Sequence, residues 1–411
     1  MRVLDPGRHA GPAGQLLSRL RIFSTRGVQK LQSGRGPPGY HCGDGTRPVR
    51  SRATHPNAAA SATPLRIRGG GSKDFYGQSL QGEILDTSGL RGISSYEPSE
   101  LVVTAAAGTP LAELEAVLAQ QGQYLPFEPP HFGPQATVGG MVAAGLAGPA
   151  RAAAGGVRDF VLGVQMLGGA GEPLTFGGQV MKNVAGYDLS RLMTGSMGTL
   201  GLITEVSLKV LPLAVAQTTL VFELDQAAAL RRLNAWAGEP LPVNASCWVM
   251  DQGVGYLYLR LRGAHAAVEA ACRTMGGQRK DDAATAADWD ALREQTLPFF
   301  DCAQGECLWR VSVPDSSPGI DLDLGAADTL VEWGGALRWI KAPAQLSTRL
   351  RQAAGAPGGS ATLFRRAADP TLPEPAVFHP LTAPLMRIHR DLKRQLDPAG
   401  IFNRARMFAD L

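Results

Sequence analysis

Between Gln135 and Pro212 the chain carries glycine clusters in a fixed order, and no other stretch limits its fold so strongly. The first is Ala136-Thr137-Val138-Gly139-Gly140, and the second Gly156-Val157-Arg158-Asp159-Phe160-Val161-Leu162-Gly163. The third follows Gly186-Tyr187-Asp188-Leu189 and reads Gly195-Ser196-Met197-Gly198-Thr199-Leu200-Gly201-Leu202-Ile203-Thr204-Glu205. Glycine lacks a Cβ and tolerates positive φ, so Gly139-Gly140 can bring bare backbone N–H groups against a phosphate. Each cluster sits beside a strand or helix signal. Such a wrap suits something flat and anionic, with a dinucleotide the first candidate. The chain has 50 glycines in 411 residues, so one pair alone would read equally well as a turn.

A second cradle lies upstream. Pro64-Leu65-Arg66-Ile67-Arg68 reads as a short strand running into Gly69-Gly70-Gly71-Ser72-Lys73. Backbone N–H groups and Ser72 would donate to a phosphate, and Arg68 or Lys73 would supply charge. On these residues alone a flexible loop is an equal alternative. No Gly-x-Gly-x-x-Gly opens a helix here, so this is not a Rossmann site.

At 411 residues the chain predicts two domains and a tail rather than one core. A net charge of +4, concentrated in the first sixty residues, leaves a near-neutral body and argues against nucleic acid as partner. No apolar run is long enough to span a membrane. Cys42, Cys247, Cys272, Cys302 and Cys307 are scattered, which fits free thiols in a reducing compartment. They form no metal or iron–sulfur spacing, so no metal is expected.

Residues 1–60 are Arg-, Gly- and Pro-rich, with Asp5 and Asp44 their only acids. They read as a disordered leader, either a transit peptide or a start assigned too far upstream, and the second is preferred. Short strands follow at Glu83–Asp86 and Leu101–Ala105. Thr109 as N-cap and Pro110 at N1 predict a helix with Leu111, Leu114, Val117 and Leu118 as its buried stripe, ended by Gly122. A Pro-rich loop then holds Glu128 and His131. Phe160–Leu167 reads as a strand, Tyr187–Thr194 as a short helix, and Ile203–Leu211 as an alternating strand with Val206, Leu208 and Val210 inward.

From Thr218 the glycine clusters stop. Strands are predicted at Val221–Leu224, Cys247–Met250, Tyr256–Leu261, Leu308–Val313 and Leu337–Ile340. Helices are predicted at Ala227–Ala237, Ala264–Met275, Ala344–Ala354 and Pro384–Leu396. This pattern predicts an α+β unit with one face of an open sheet covered. The expected organisation is a FAD-binding domain over 61–214, a cap over 215–380 and a C-terminal helix and tail over 381–411 that return to the first domain.

These residues resemble the FAD-binding domain of the p-cresol methylhydroxylase/vanillyl-alcohol oxidase superfamily. Glu128-Pro129-Pro130-His131, Val180–Met193, Leu297-Pro298-Phe299-Phe300 and Glu332–Trp339 resemble more closely the E-subunit family of bacterial glycolate oxidases. The resemblance implies an α+β fold: a two-part FAD domain with a smaller α+β cap over the flavin ring. It places the pyrophosphate between Arg68, Gly69, Gly70, Gly71, Ser72 and Thr137, Val138, Gly139, Gly140. It sets Gly198, Thr199, Gly201 and Ile203 along ribityl and adenine, with Arg158 and Asp159 near the cofactor. Covalent members often place a His in the first loop; Ser72 here implies non-covalent FAD. Relatives that oxidise 2-hydroxy acids carry paired His motifs that are missing here, and His379 and His389 lack their flanking residues.

The implied function is a FAD-dependent oxidoreductase subunit working with D (flavin) and F (iron–sulfur) subunits on glycolate. It would be cytoplasmic, reaching the inner face of the plasma membrane only through the complex. The flavin would relay electrons, or oxidise substrate with Lys182 or Arg338 holding the carboxylate and His131 as base. The alternatives are a self-contained oxidoreductase for another 2-hydroxy acid such as D-lactate, a nicotinamide-dependent reductase, or a scaffold that keeps FAD as filler.

Overall fold

A computed structural model describes residues 63–178, 188–280, 282–320, 329–367 and 375–411. The leader over 1–60 and the Val180–Tyr187 motif with Lys182 lie outside the described residues.

The first half is built on a five-stranded sheet. Its strands run in the order Ile93–Glu97, Val102–Ala106, Leu202–Lys209, Val161–Leu167, Pro173–Gly177. Alternation explains the Leu202–Lys209 strand: Val206 and Leu208 enter the core, as does Val210 just after the strand. Ser207, on the other face, is buried too and is satisfied by the Thr104 hydroxyl at 2.9 Å. The Leu111–Gln120 helix lays Leu111, Leu114 and Leu118 on this sheet, with Val117 only half-buried. Its start differs from expectation. Pro110 occupies the N-cap, and the Thr109 hydroxyl instead accepts from Gly92 N at 2.9 Å and donates to Gly92 O.

Leu65–Arg68 pairs in parallel with Glu83–Asp86. The C-terminus returns to this pair: Leu65 N donates to Ile401 O at 2.7 Å, and Asn403 N to Leu65 O at 2.9 Å. Buried Lys393, in the Ala383–Leu396 helix, fixes the return by donating to Asp397, Thr199 O and Phe402 O.

The second half is an eight-stranded antiparallel sheet. Its order is Gln278–Lys280, Ala216–Glu223, Val254–Gly263, Val243–Asp251, Thr329–Glu332, Leu337–Pro343, Glu306–Ser312, Ser360–Arg365. On one face Leu257, Leu259 and Leu261 pack under helices Gln226–Ala237 and His265–Met275. Further along that face Trp309, Ile340 and Leu363 pack under Ser347–Gly355. The expectation of one covered face is corrected. The second face, with Cys247, Leu308, Trp339 and Phe364, packs on Trp289, Leu292 and Phe300 and on Tyr76, Leu146 and Met197 of the first half. The two halves therefore share a hydrophobic cluster. A salt bridge crosses the same boundary: Glu128 binds Arg260 at 2.7 Å and Arg262 at 3.2 Å.

Candidate active site

The Arg68–Lys73 turn, the start of the Val138–Ala144 helix, the Met197–Ile203 turn and the C-terminal Asn403 and Arg406 surround an open cleft. Its glycines have geometric reasons. A Cβ on Gly70 would lie 1.5 Å from Gln135 O, and one on Gly69 2.4 Å from Thr137 Oγ1, so the two loops form one wall. Gly71 and Gly198 adopt φ of +73° and +70°, the left-handed region that glycine favours. A Cβ on Gly201 would meet Met166 Cε at 2.0 Å.

Charge in this wall is positive. Arg68, Lys73 and Arg406 line it against a single carboxylate, Asp74. Arg66 and Arg68 hold Asp74 at 2.5 and 3.1 Å. Lys73 Nζ donates to His131 O at 3.1 Å, and burial pulls its pKa down to about 8 against the opposing pull of Glu294. Arg406 donates to the carbonyls of Asp74, Tyr76 and Gln78, shaping the turn that follows Lys73. Burial brings its pKa down to about 10. Glycine backbone with three cations and one carboxylate fits a pyrophosphate.

Of the sequence candidates, Arg68, Gly69, Gly70, Gly71, Ser72, Thr137, Gly139, Gly140, Gly198, Gly201 and Ile203 meet at this cleft. Val138 does not; it is fully buried in the core. Thr199 shapes its turn from behind, donating to Ser196 O at 2.7 Å. Arg158 and Asp159 lie outside the cleft wall, where Asp159 accepts from Gly156 N at 2.8 Å and caps the Val157–Phe160 turn. The bare N–H groups expected at Gly139-Gly140 are also corrected. Gly139 N donates to Ala107 O at 2.7 Å, and Gly140 N to Thr137 Oγ1, the helix N-cap, at 3.2 Å. These glycines act through close approach instead: Gly139 packs on Ala107, while exposed Gly140 faces the cleft.

The catalytic candidates fare worse. Arg338 is fully buried and spends its guanidinium on Gly335 O, Ser317 O and Pro318 O, so it cannot hold a substrate carboxylate. His131 Nε2 lies 2.9 Å from Glu115 Oε2, within ion-pair distance but without hydrogen-bond geometry, while its backbone N–H donates to Glu294 at 3.1 Å. It does not line the cleft. Lys182 is outside the described residues. Asn403 and Arg406 were missed as wall residues. Both lie in the C-terminal tail, which the sequence reading expected only to return to the first domain.

A FAD binding domain family model matches residues 53–188. Glycolate oxidase subunit GlcE of Escherichia coli (strain K12) is 47% identical over 86% of this chain and 95% of its own length. The chain belongs to the glycolate oxidase E-subunit family. Members of this family are FAD-dependent oxidoreductase subunits of the p-cresol methylhydroxylase type, and FAD is the cofactor of this chain. Glycolate oxidase subunit GlcD of Bacillus subtilis (strain 168) is 31% identical over 40% of this chain and 34% of its own length. The mitochondrial D-lactate dehydrogenase [cytochrome] of Arabidopsis thaliana is 32% identical over 34% of this chain and 25% of its own length. Among solved structures, alkyldihydroxyacetonephosphate synthase superposes with a TM-score of 0.59 at 15% identity, over 84% of this chain and 73% of its own, and shares the fold.

A second, smaller cavity lies where the halves meet. Pro130, Phe132 and Leu146–Pro149 line it from one side, and Arg310, Glu332, Trp339 and Phe364 from the other. It adjoins the cleft: Ala143 and Ala144 line the cleft, and Leu146 the cavity. Lys73 Nζ, from the cleft wall, lies 5.6 Å over the Phe132 ring. Burial pushes the Glu332 carboxyl up to about 7, partly offset by the Trp339 Nε1 hydrogen bond at 2.7 Å and by Arg310.

Proposed function

We propose that this chain is the FAD subunit of a glycolate oxidase assembly with D and F subunits, and that its flavin relays electrons rather than oxidising glycolate itself. The observation that carries the relay role is the commitment of both described candidates for substrate chemistry. Arg338 is consumed by carbonyls, and His131 is paired with Glu115 away from the cleft. A 2-hydroxy-acid oxidase needs a base and a carboxylate-holding cation within hydrogen-bond reach of the substrate.

In this reading Arg68, Ser72 and Lys73 hold the FAD pyrophosphate, Gly140 leaves room for it, and Met197–Ile203 borders the rest of the cofactor. The bound flavin supplies reversible acceptance and release of electrons. The sheet of the second half excludes water from the flavin-facing side. We further propose the boundaries 61–214, 215–380 and 381–411 for the FAD domain, cap and returning tail. FAD is held non-covalently: Ser72 stands in the first loop, and among the described lining residues none is a His, Cys or Tyr. No helix among the described residues is long and apolar enough to cross a membrane, which accords with a cytoplasmic subunit that meets a membrane only through its partners.

The D-lactate dehydrogenase similarity favours one second reading, in which the assembly acts on D-lactate. Acid precipitation is expected to release yellow flavin to the supernatant. Anaerobic glycolate is expected to leave the lone subunit yellow and to bleach it once D and F subunits are added. Rapid bleaching of the lone subunit would overturn the relay role, and faster bleaching of the assembly by D-lactate than by glycolate would favour the second reading.

A further inference from the structure

Glu294 ends the Asp282–Glu294 helix of the second half, yet its carboxylate is turned to the first half. It accepts from His131 N through both oxygens at 3.1 Å and from Phe132 N at 2.8 Å. These two N–H groups belong to a turn in which Phe132 takes φ of +52°, a left-handed conformation that a side chain disfavours. Such a conformation persists only where its surroundings hold it. The carbonyl of the same turn, His131 O, accepts from Lys73 Nζ at 3.1 Å, and the Phe132 ring lies 5.6 Å from that ammonium. Lys73 belongs to the glycine turn of the cleft wall. A short run of contacts therefore joins a carboxylate of the second half to a cation of the cofactor cleft.

We propose that Glu294 is a positioning residue for the FAD site: it fixes the His131–Phe132 turn, and through the His131 carbonyl and its own negative charge it sets the Lys73 ammonium at the pyrophosphate. This role rests on the placement of the pyrophosphate against Lys73 given above; the contacts from Glu294 to Lys73 do not.

Both geometry and charge pass along these contacts. Without the carboxylate, the His131 and Phe132 N–H groups lose their acceptor, and the carbonyl that holds Lys73 loses its fixed position. Burial pulls the Lys73 pKa down to about 8, and Glu294 opposes that pull. Removing Glu294 therefore lets Lys73 release its proton at lower pH, and a neutral amine attracts a phosphate less. Glu294 itself stays ionised through the neutral range. Burial would raise its carboxyl, but the Phe132 and His131 N–H groups and the Arg293 guanidinium hold it below the ordinary value. Arg293 is also paired with Asp290 at 3.3 Å. The other charges around Lys73 are engaged elsewhere. Asp74 is held by Arg66 and Arg68. Arg406 donates to Lys73 O and Asp74 O, and Arg365 lies over the Phe132 ring at 5.6 Å. The His131 imidazole is turned to Glu115.

Fluorescence titration of FAD into the full deflavinated chain, repeated from about pH 6.5 to about pH 9, tests the proposal. Wild type is expected to begin losing affinity near pH 8. In Glu294→Gln the fall should begin about one pH unit lower, with affinity at about pH 7.5 down about fivefold. A purely structural role would lower affinity without moving the profile. Glu294→Asp keeps the charge but withdraws it, so its profile should lie between the two. Lys73→Met should lower affinity and flatten the profile, and adding Glu294→Gln to Lys73→Met should cost little more. An unmoved profile in Glu294→Gln, or losses that add fully in the double variant, would overturn the proposal and leave the FAD site standing. Unchanged affinity in Lys73→Met would overturn both the proposal and the placement of Lys73 at the pyrophosphate. If Glu294→Gln does not fold, Glu294→Asp still decides: affinity and profile identical to wild type would overturn the proposal.

Discussion

Gly70 and Glu332 show two ways in which single residues set this molecule's properties. At Gly70 a Cβ would sit inside the Gln135 carbonyl, so Gly70→Ala must push apart the two loops of the cleft wall. We expect a loss of roughly 1–3 kcal/mol in stability, as for other overpacked sites, together with loss of flavin. Chemical denaturation and flavin absorbance measure both, and wild-type values in Gly70→Ala would mean that the loops are not in contact. Glu332 acts through protonation. Its folded pKa, about 7, lies above the ordinary 4.5, so the folded state binds a proton that the unfolded state has released. This contribution is full below about pH 4.5, falls as pH rises toward 7, and is gone above it. Its size is on the order of 3 kcal/mol. Glu332→Gln should therefore flatten the decline in melting temperature between about pH 5 and about pH 8. An unchanged slope would place Glu332's proton affinity elsewhere.

Among elements, the strands and helices with periodic apolar residues were legible, and those without were not. The Leu111–Gln120 helix and the Leu202–Lys209 strand announce their buried faces through spacing. The Asp282–Glu294 helix does not: its Ala- and Asp-rich sequence shows no apolar stripe, yet it buries Trp289 and Leu292 against the second sheet face. The Ser360–Arg365 strand follows a Gly-Gly turn, and its Ser-Ala-Thr start gives little alternation. The glycine clusters located the cleft wall, but the assignment of free N–H donors to Gly139 failed because backbone pairing with Ala107 is a long-range fact. Arg310 stood in a legible strand, yet nothing local says that its side chain enters a cavity. At this scale the Glu128 bridge joins two elements far apart in sequence. Glu128→Gln leaves Arg260 and Arg262 without their shared carboxylate, and Arg260 is almost fully buried. A loss of about 3 kcal/mol is expected, read by denaturant midpoint. A midpoint unchanged by Glu128→Gln would show the bridge to be dispensable.

For the whole molecule, the two halves meet through a common hydrophobic cluster, and the cleft and the small cavity adjoin beside that junction. Binding of an anionic cofactor should then depend on Lys73, which is charged below about pH 8 and loses its proton above it. FAD affinity is expected to fall as pH rises past that value, with fluorescence titration as the check and a flat profile as the contrary result. The central claim is that FAD occupies the glycine-lined cleft. Titration of FAD into the deflavinated protein, wild type beside Gly140→Val, tests it most directly. A Cβ at Gly140 would meet only Thr137 Oγ1, at 3.1 Å, and would otherwise point into open space. The substituted protein should therefore keep its melting temperature to within a few degrees while its branched side chain fills the place of the phosphates. The account predicts saturable, tight binding by wild type and none by folded Gly140→Val. Equal FAD binding by both would place the cofactor elsewhere.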